Sequence, residues 1–299
     1  MEIQTVDIQF LDTEEVIQVY FVESNDGLIL MDCGPFAFLP KLIEGLRTKG
    51  YALKDVRHLL LTHIHFDHAG AAWELAKNGT QVYVHPFGYK HLLDPSKLVA
   101  SATQIYQSDM DRLWGKIEAI QSAQLNAVDD RTILRLGGVE AKAYYTPGHA
   151  RHHIAWQITD QLFCGDVCGI KIGDGPVFPP CPPPDINIEV WHQSIDLISE
   201  LIQNKLVSKL WLTHAGGHDK GLYLCTKLKE ELDEWAQWFE HRYQRTDTQT
   251  LSTEFDAWVE QKYTKHQLSK KAMKQYELAN PHFMSVMGLT RYWKKRKSL

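Results

Sequence analysis

An α/β domain followed by a helical C-terminal region is predicted by three features of this 299-residue sequence. Up to about residue 218, short apolar or alternating runs that read as strands are interleaved with segments of helical periodicity. One apolar run, Val56 to Leu61, stops at Thr62-His63-Ile64-His65-Phe66-Asp67-His68, which packs three imidazoles and a carboxylate into a few residues. From Lys220 onward the apolar pattern is helical.

Residues 3–10, 16–23 and 28–32 read as strands, with Asn25-Asp26-Gly27 as a hairpin signal. Asp32-Cys33-Gly34-Pro35 closes the third, and Asp32 is expected to hold loops together. Phe38 to Lys49 reads as a helix stopped by Gly50. Val56 to Leu61 reads as a buried strand, which places the His/Asp cluster at a strand's C-terminal end, where open α/β sheets bind ligands. In extended backbone His63 and His65 point the same way and can grip one divalent ion; Asp67 and His68 follow as the chain turns and suit a second. Ala69 to Asn78 reads as a helix, and Gln81 to His85 as a strand with a structural His85 at its end.

Pro86 to Asp130 reads as a helical insertion that can roof the site, because Leu92, Leu98, Ile105, Tyr106, Leu113 and Trp114 recur at helical spacings. Tyr89, Tyr106 and Trp114 are expected to pack this insertion rather than touch substrate. Ile133 to Leu136 and Val139 to Thr146 are strands around Gly137-Gly138 and lead into His149. Ile154 to Ile158 and Gln161 to Asp166 form a further hairpin. Gly173 to Asp185 carries six prolines and reads as a stiff loop, either a wall of the cleft (176–184) or a plain connector. Ile188 to Gln203 is an amphipathic helix. Ser208 to Thr213 is a strand that delivers His214, after which Ala215 to His218 turns away. His152 and His153 read either as groups that orient a ligand or as a polar strand start, and the roles of His85 and His218 are not fixed by pattern.

The C-terminal region reads as helices over Leu222 to Arg245, Leu251 to Lys265, and Ser269 to Trp293 with a break at Pro281. Its aromatic side chains are too many for a solvated tail and are expected to cover the domain or a second subunit, giving a homo-oligomer. The domain organisation is therefore 1–218, with its insertion at 86–130, and a helical extension over 219–299. Apolar content of 44% and charged content of 23% are those of an ordinary globular protein. A net charge of -5 without a basic domain argues against a nucleic-acid partner, with only the short tail Lys294-Lys295-Arg296-Lys297 in its favour. The opening residues lack a basic stretch followed by an apolar core, and no run reaches 18 apolar residues, so a soluble cytoplasmic protein without a membrane partner is expected. The five cysteines are odd in number and irregular in spacing; Cys164 and Cys168 read as reduced core thiols rather than zinc ligands.

The H-x-H-x-D-H cluster, together with Thr146-Pro147-Gly148-His149, Phe163-Cys164-Gly165-Asp166 and Leu212-Thr213-His214, resembles the motifs of the metallo-β-lactamase-fold superfamily of metallohydrolases over roughly residues 1 to 218. Within it the match is to the seven-ligand dinuclear pattern. The resemblance implies a four-layer αββα sandwich of two mixed β-sheets flanked by helices. It implies that His63, His65 and His149 hold one metal, that Asp67, His68 and His214 hold a second, and that Asp166 bridges them. Two divalent ions, zinc by default with iron or manganese as alternatives, would bind a hydroxide that attacks the electrophile, and Asp67 would take the proton. The true β-lactamases of the superfamily commonly carry cysteine where Asp166 stands, and the flavodiiron members resemble H-x-E-x-D-H, with glutamate where His65 stands. These differences imply a hydrolase of a small-molecule ester, thioester or lactone. A phosphodiesterase or nuclease of the same fold, a di-iron redox enzyme and a non-catalytic relic are the alternatives. Two places depart from the family pattern: Gly70-Ala71 stands where two glycines are common, and Ala150-Arg151-His152-His153 replaces a glycine-rich continuation.

Overall fold

The computed structural model describes residues 1–245 and 247–298. Its first sheet contains β1 (Gln4–Asp7), β2 (Gln18–Ser24), β3 (Gly27–Met31), β4 (Val56–Leu60), β5 (Gln81–Val84) and β6 (Leu125–Ala127), in that spatial order. β1 to β3 form an antiparallel meander and β3 to β6 run parallel. The second sheet contains β7 (Ile133–Leu136), β8 (Val139–Tyr145), β9 (Ile154–Ile158), β10 (Gln161–Gly165), β11 (Lys209–Leu212) and β12 (Gly216–His218). It is antiparallel except where β10 lies parallel to β11.

Alternation along the strands makes the layers. Val19, Phe21, Leu28 and Leu30 face outward into a core shared with helix residues Leu42 and Leu46. Their neighbours Tyr20, Val22, Ile29 and Met31 face inward and meet Ala141, Ala143, Ile154, Trp156 and Phe163 of the other sheet. Period-two burial on both faces is what a sheet sandwiched between a second sheet and helices requires.

The helices are α1 (Leu39–Thr48), α2 (Phe66–Ala69), α3 (Ala72–Lys77), α4 (Pro86–Leu93), α5 (Ser96–Tyr106), α6 (Met110–Leu113), α7 (Ile188–Gln203), α8 (Gly221–Glu240), α9 (Thr248–Lys265), α10 (Lys270–Ala279) and α11 (His282–Lys297). The two sheets flanked by these helices are the αββα arrangement expected from the motifs. Four details differ from the sequence reading. The single helix expected at 69–78 is two, because the Ala71 N–H bonds to the Gly34 carbonyl (3.0 Å) and ties the turn to the neighbouring loop. The insertion is helical only to Leu113, and Leu125 to Ala127 rejoin the first sheet beside β5; three residues are too few to show a period. His85 lies just past its strand and caps α4, its Nδ1 accepting the Phe87 N–H at 3.0 Å. Gly216 to His218 do not simply turn away but pair with β11 as an edge strand.

The aromatics of the C-terminal helices bury against their own chain. Trp235, Phe239, Phe255 and Tyr276 are nearly inaccessible, and Phe178 of the proline loop stacks among them, 5.3 Å from Trp235 and 5.5 Å from Tyr276. The Tyr276 hydroxyl donates to Pro176 O (2.5 Å) and accepts from Ile172 N (3.0 Å), while Asn280 Nδ2 donates to Pro179 O (3.3 Å). A Cβ on Gly288 would lie 2.0 Å from Cys181 O, so only glycine lets α11 press this closely on the loop. The proline loop is thus clamped from behind. All five cysteines are buried and unpaired. No described helix is long and apolar enough to cross a membrane.

Candidate metal centre

Where the two sheets meet, their strand ends are stitched together. Ile154 N donates to Thr62 O (2.7 Å), Trp156 Nε1 to Leu61 O (2.9 Å), and Gln18 N to Thr213 O (2.9 Å). This ties the end of β4 to β9, and the start of β2 to the loop after β11. In the loop after β8, Gly148 has a φ of +135°, and a Cβ there would lie 2.3 Å from Trp191. All seven residues predicted from the motifs converge at this junction.

They fall into two groups that share one carboxylate. In the first, His63 Nε2, His65 Nδ1 and His149 Nε2 form a triangle with sides of 2.9, 3.1 and 3.3 Å. In the second, Asp67 Oδ2 lies 3.5 Å from both His68 Nε2 and His214 Nε2. Asp166 stands between them. Its Oδ1 is 3.4 Å from His68 Nε2 and from His214 Nε2, and its Oδ2 is 3.4 Å from His149 Nε2 and 4.0 Å from His63 Nε2. Asp166, the residue for which the motifs implied a bridging role, thus turns one oxygen to each group.

The outward ring nitrogens settle which nitrogen faces in. His149 Nδ1 donates to Pro180 O (2.8 Å) and His214 Nδ1 to Val16 O (2.6 Å), each a backbone carbonyl that can only accept. His68 Nδ1 donates to Asp32 Oδ2 (2.8 Å). Thr62 Oγ1 donates to the same oxygen (2.8 Å), so its lone pair accepts from His63 Nδ1 (3.1 Å). With Nδ1 carrying the hydrogen in all four, each Nε2 offers a lone pair to the centre, as metal-ligating histidines require. Asp32 also accepts from Thr62 N (2.8 Å) and Thr213 Oγ1 (3.3 Å), so one buried carboxylate ties together the loops after β3, β4 and β11. This is the loop-holding role expected of it.

The electrostatics differ between the groups. Burial, reinforced by neighbouring imidazoles, holds His63 well below the usual histidine range and brings His65 down to about 4 despite the opposing pull of Asp67 and Asp166. Burial also lowers His149, although Asp166 opposes it. At His68, burial is outweighed by Asp67, Asp166 and Asp32, and the pKa is raised well above normal; His214 is raised for the same reason by Asp166 and Asp67. Burial of Asp67 and Asp166 is in turn outweighed by the facing imidazoles, and both carboxylates stay ionised.

The donor set fits divalent cations. His68 Nε2, His214 Nε2 and Asp166 Oδ1 are buried without a hydrogen-bond partner. Such groups cost about 1–3 kcal/mol each if left so. A cation in the second group satisfies all three at once. In the first group, three lone pairs meet within 3.3 Å, the spacing of imidazoles around an ion at about 2.0–2.1 Å. The groups open on a cavity of about 620 Å³ lined in part by His65, Asp67, Asp166 and His214.

The other histidines divide. His153 Nδ1 donates to Thr146 Oγ1 (2.8 Å) and its Nε2 accepts from Asp166 N (3.3 Å), so it positions the backbone of the shared aspartate. His152 lines the cavity, stacks on Phe87 (centroids 5.9 Å apart) and has a buried Nδ1 without a partner. His85 and His218 lie outside the centre. Tyr106 and Trp114, expected only to pack the insertion, also line the cavity; Trp114 stacks on Phe10 at 5.9 Å. The backbone acceptors Val16 O and Pro180 O had no signal in the sequence, because any residue type supplies a carbonyl.

Two mixed sheets packed face to face, helices outside, and a His/Asp centre at their joined ends define a metallo-β-lactamase-type fold. The profile of the metallo-beta-lactamase superfamily matches residues 12–201, and the chain belongs to that superfamily. It is 28% identical over 197 residues to the metallo-beta-lactamase fold-containing protein ST1585 of Sulfurisphaera tokodaii, covering 62% of this chain and 69% of that one. It is 25% identical over 190 residues to a hydroxyacylglutathione hydrolase of Shewanella pealeana, covering 63% of this chain and 54% of that one. The chain thus spans about half the length of that curated relative. Among solved structures, ST1585 from Sulfolobus tokodaii superposes with a TM-score of 0.64 at 22% identity, covering 98% of each chain. A metallo-beta-lactamase family protein of Thermus thermophilus does so with 0.68 at 17%, covering 94% of this chain and 89% of that one.

Proposed function

We propose that this protein is a dinuclear metal-dependent hydrolase of a small ester, thioester or lactone. The observation that carries the reading is the division of Asp166: one oxygen faces each ligand group, at the wall of a substrate-sized cavity. The hydroxyacylglutathione hydrolases among the relatives support hydrolysis of an acyl bond. His63, His65 and His149 would hold one ion and Asp67, His68 and His214 the other, with Asp166 common to both. Zinc is the proposed ion, with manganese or iron as alternatives for this mixed imidazole and carboxylate set. Bound there, the cations supply Lewis-acid polarisation of the acyl carbonyl and activation of water.

The chain's own residues do the rest. Asp32, Thr62, Val16 O and Pro180 O hold four imidazoles with their lone pairs inward before any ion arrives, so little reorganisation is needed. Asp67 is partly exposed, with 21% of its side chain accessible, and Oδ2 faces the two histidines. Its Oδ1 would receive the proton released from the attacking water and pass it to the leaving group. Metal analysis of protein purified without added metal, followed by a panel of ester, thioester, lactone and phosphodiester substrates, tests the reading. About two ions per chain with acyl-bond cleavage is the expected result. Cleavage restricted to the phosphodiester, or a metal-replete protein without turnover, would overturn it.

A further inference from the structure

The cavity's far wall is apolar and is built by parts of the chain that lie outside the ligand motifs. Leu98, Ala102 and Ile105 of α5, Trp114 after α6, and Phe283 and Met284 of α11 face the same space as Asp67 and Asp166. Trp114 and Met284 are buried, but Phe283 is 41% exposed and Ala102 and Ile105 are half-buried, so part of this surface is open to the cavity.

Most of the charges around this wall are already paired, Lys97 being the exception. Arg151 makes a bidentate pair with Asp185 (2.7 and 2.9 Å), and Arg112 pairs with Asp109 (3.0 Å). Both acids belong to the same lining. Glu277 is taken by His282 Nε2 (3.2 Å), and Lys97 is exposed. A ligand bearing several charges, such as a glutathione thioester with its two carboxylates and ammonium, would have to break these pairs to be recognised. An uncharged chain or ring could lie on the apolar side chains of this wall and leave the pairs intact.

Resting on the hydrolase reading above, we infer that the substrate carries an extended, uncharged aliphatic or aromatic acyl group, seated between α5 and the start of α11 with its carbonyl at the metal centre. The C-terminal helices then act in specificity as well as stability, since α11 supplies one side of the acyl chamber.

The test uses the metal-loaded full chain and p-nitrophenyl acetate, butyrate, hexanoate and octanoate, with S-lactoylglutathione as the charged comparator. The expected result is a kcat/KM that rises about twofold to fourfold per methylene, the worth of burying that group. In Ala102→Trp, which fills the chamber, and in Phe283→Asp, which charges it, the octanoate-to-acetate ratio should fall about tenfold or more. A readout independent of turnover is calorimetric binding of 2-decanone, which should weaken in both variants by a similar factor. A flat chain-length profile with turnover intact would overturn the acyl chamber and leave the hydrolase standing. Faster turnover of S-lactoylglutathione than of the octanoate would do the same. Loss of turnover on every acyl substrate would instead overturn the hydrolase reading, and 2-decanone binding would decide the chamber separately.

Discussion

The two halves of the centre use the same side chain in opposite settings. In the first group, three imidazoles face one another and are driven toward the neutral form by burial and by each other, with His65 down to about 4. In the second, His68 and His214 face Asp67 and Asp166 and are driven toward the charged form. The first group offers bare lone pairs; the second offers a negative field that a proton or a cation can satisfy. Asp166 belongs to both, so the difference lies in Asp67 and Asp32, whose close contacts are with the histidines of the second group.

That asymmetry can be broken in graded ways, assuming the proposed metal roles. The largest effect is expected from Asp166→Asn, which removes the charge common to both groups. We predict loss of at least one ion per chain and a fall in kcat/KM of about a thousandfold, read by elemental analysis and ester hydrolysis. Two retained ions with full activity would mean that the shared carboxylate is incidental. Next, His68→Ala should empty the second group alone and take the content from two ions to about one, while His63→Ala should do so for the first. If either variant loses both ions together, the groups are one cooperative site. Asp32→Ala should weaken the second ion about 10- to 100-fold and the first much less, in a chelator competition titration, because only His68 loses its orienting acceptor. An equal loss at both would show that Asp32 acts through the loops. The smallest effect is expected from Thr62→Val, which removes the acceptor for His63 Nδ1 and should weaken the first ion about tenfold. A selective effect on the second ion would reverse the assignment.

Much of the site was legible because its spacing is local. His63, His65, Asp67 and His68 lie in one turn after one buried strand, and the two-residue period of extended chain already puts His63 and His65 together. Strands and long helices were equally legible where alternation or a 3.6 period ran for several residues, as in Ile188–Gln203, which the structure reproduces at the same bounds. The reading was less exact where a neighbour, not the local pattern, sets the conformation: the break at Ala71 made by the Gly34 carbonyl, the short strand at Leu125–Ala127, and the pairing of Gly216–His218. His152 and His153 are adjacent and of one type, yet one bridges Thr146 to Asp166 N and the other borders the cavity. Only their surroundings distinguish them.

The sequence by itself determined the chemistry on offer: which residues carry nitrogen and oxygen donors, and which faces of strands and helices are apolar. Ligand type and periodicity are properties of single segments, so they survive in one dimension. The tertiary structure alone decided that Asp166 divides its oxygens between two groups, that carbonyls from Val16 and Pro180 fix two imidazoles, and that α5 and α11 close one apolar chamber over the centre. Those facts depend on residues separated by up to nearly 200 positions meeting within hydrogen-bonding distance, as His214 and Val16 do. Packing of the two sheets, and not any local preference, brings them there.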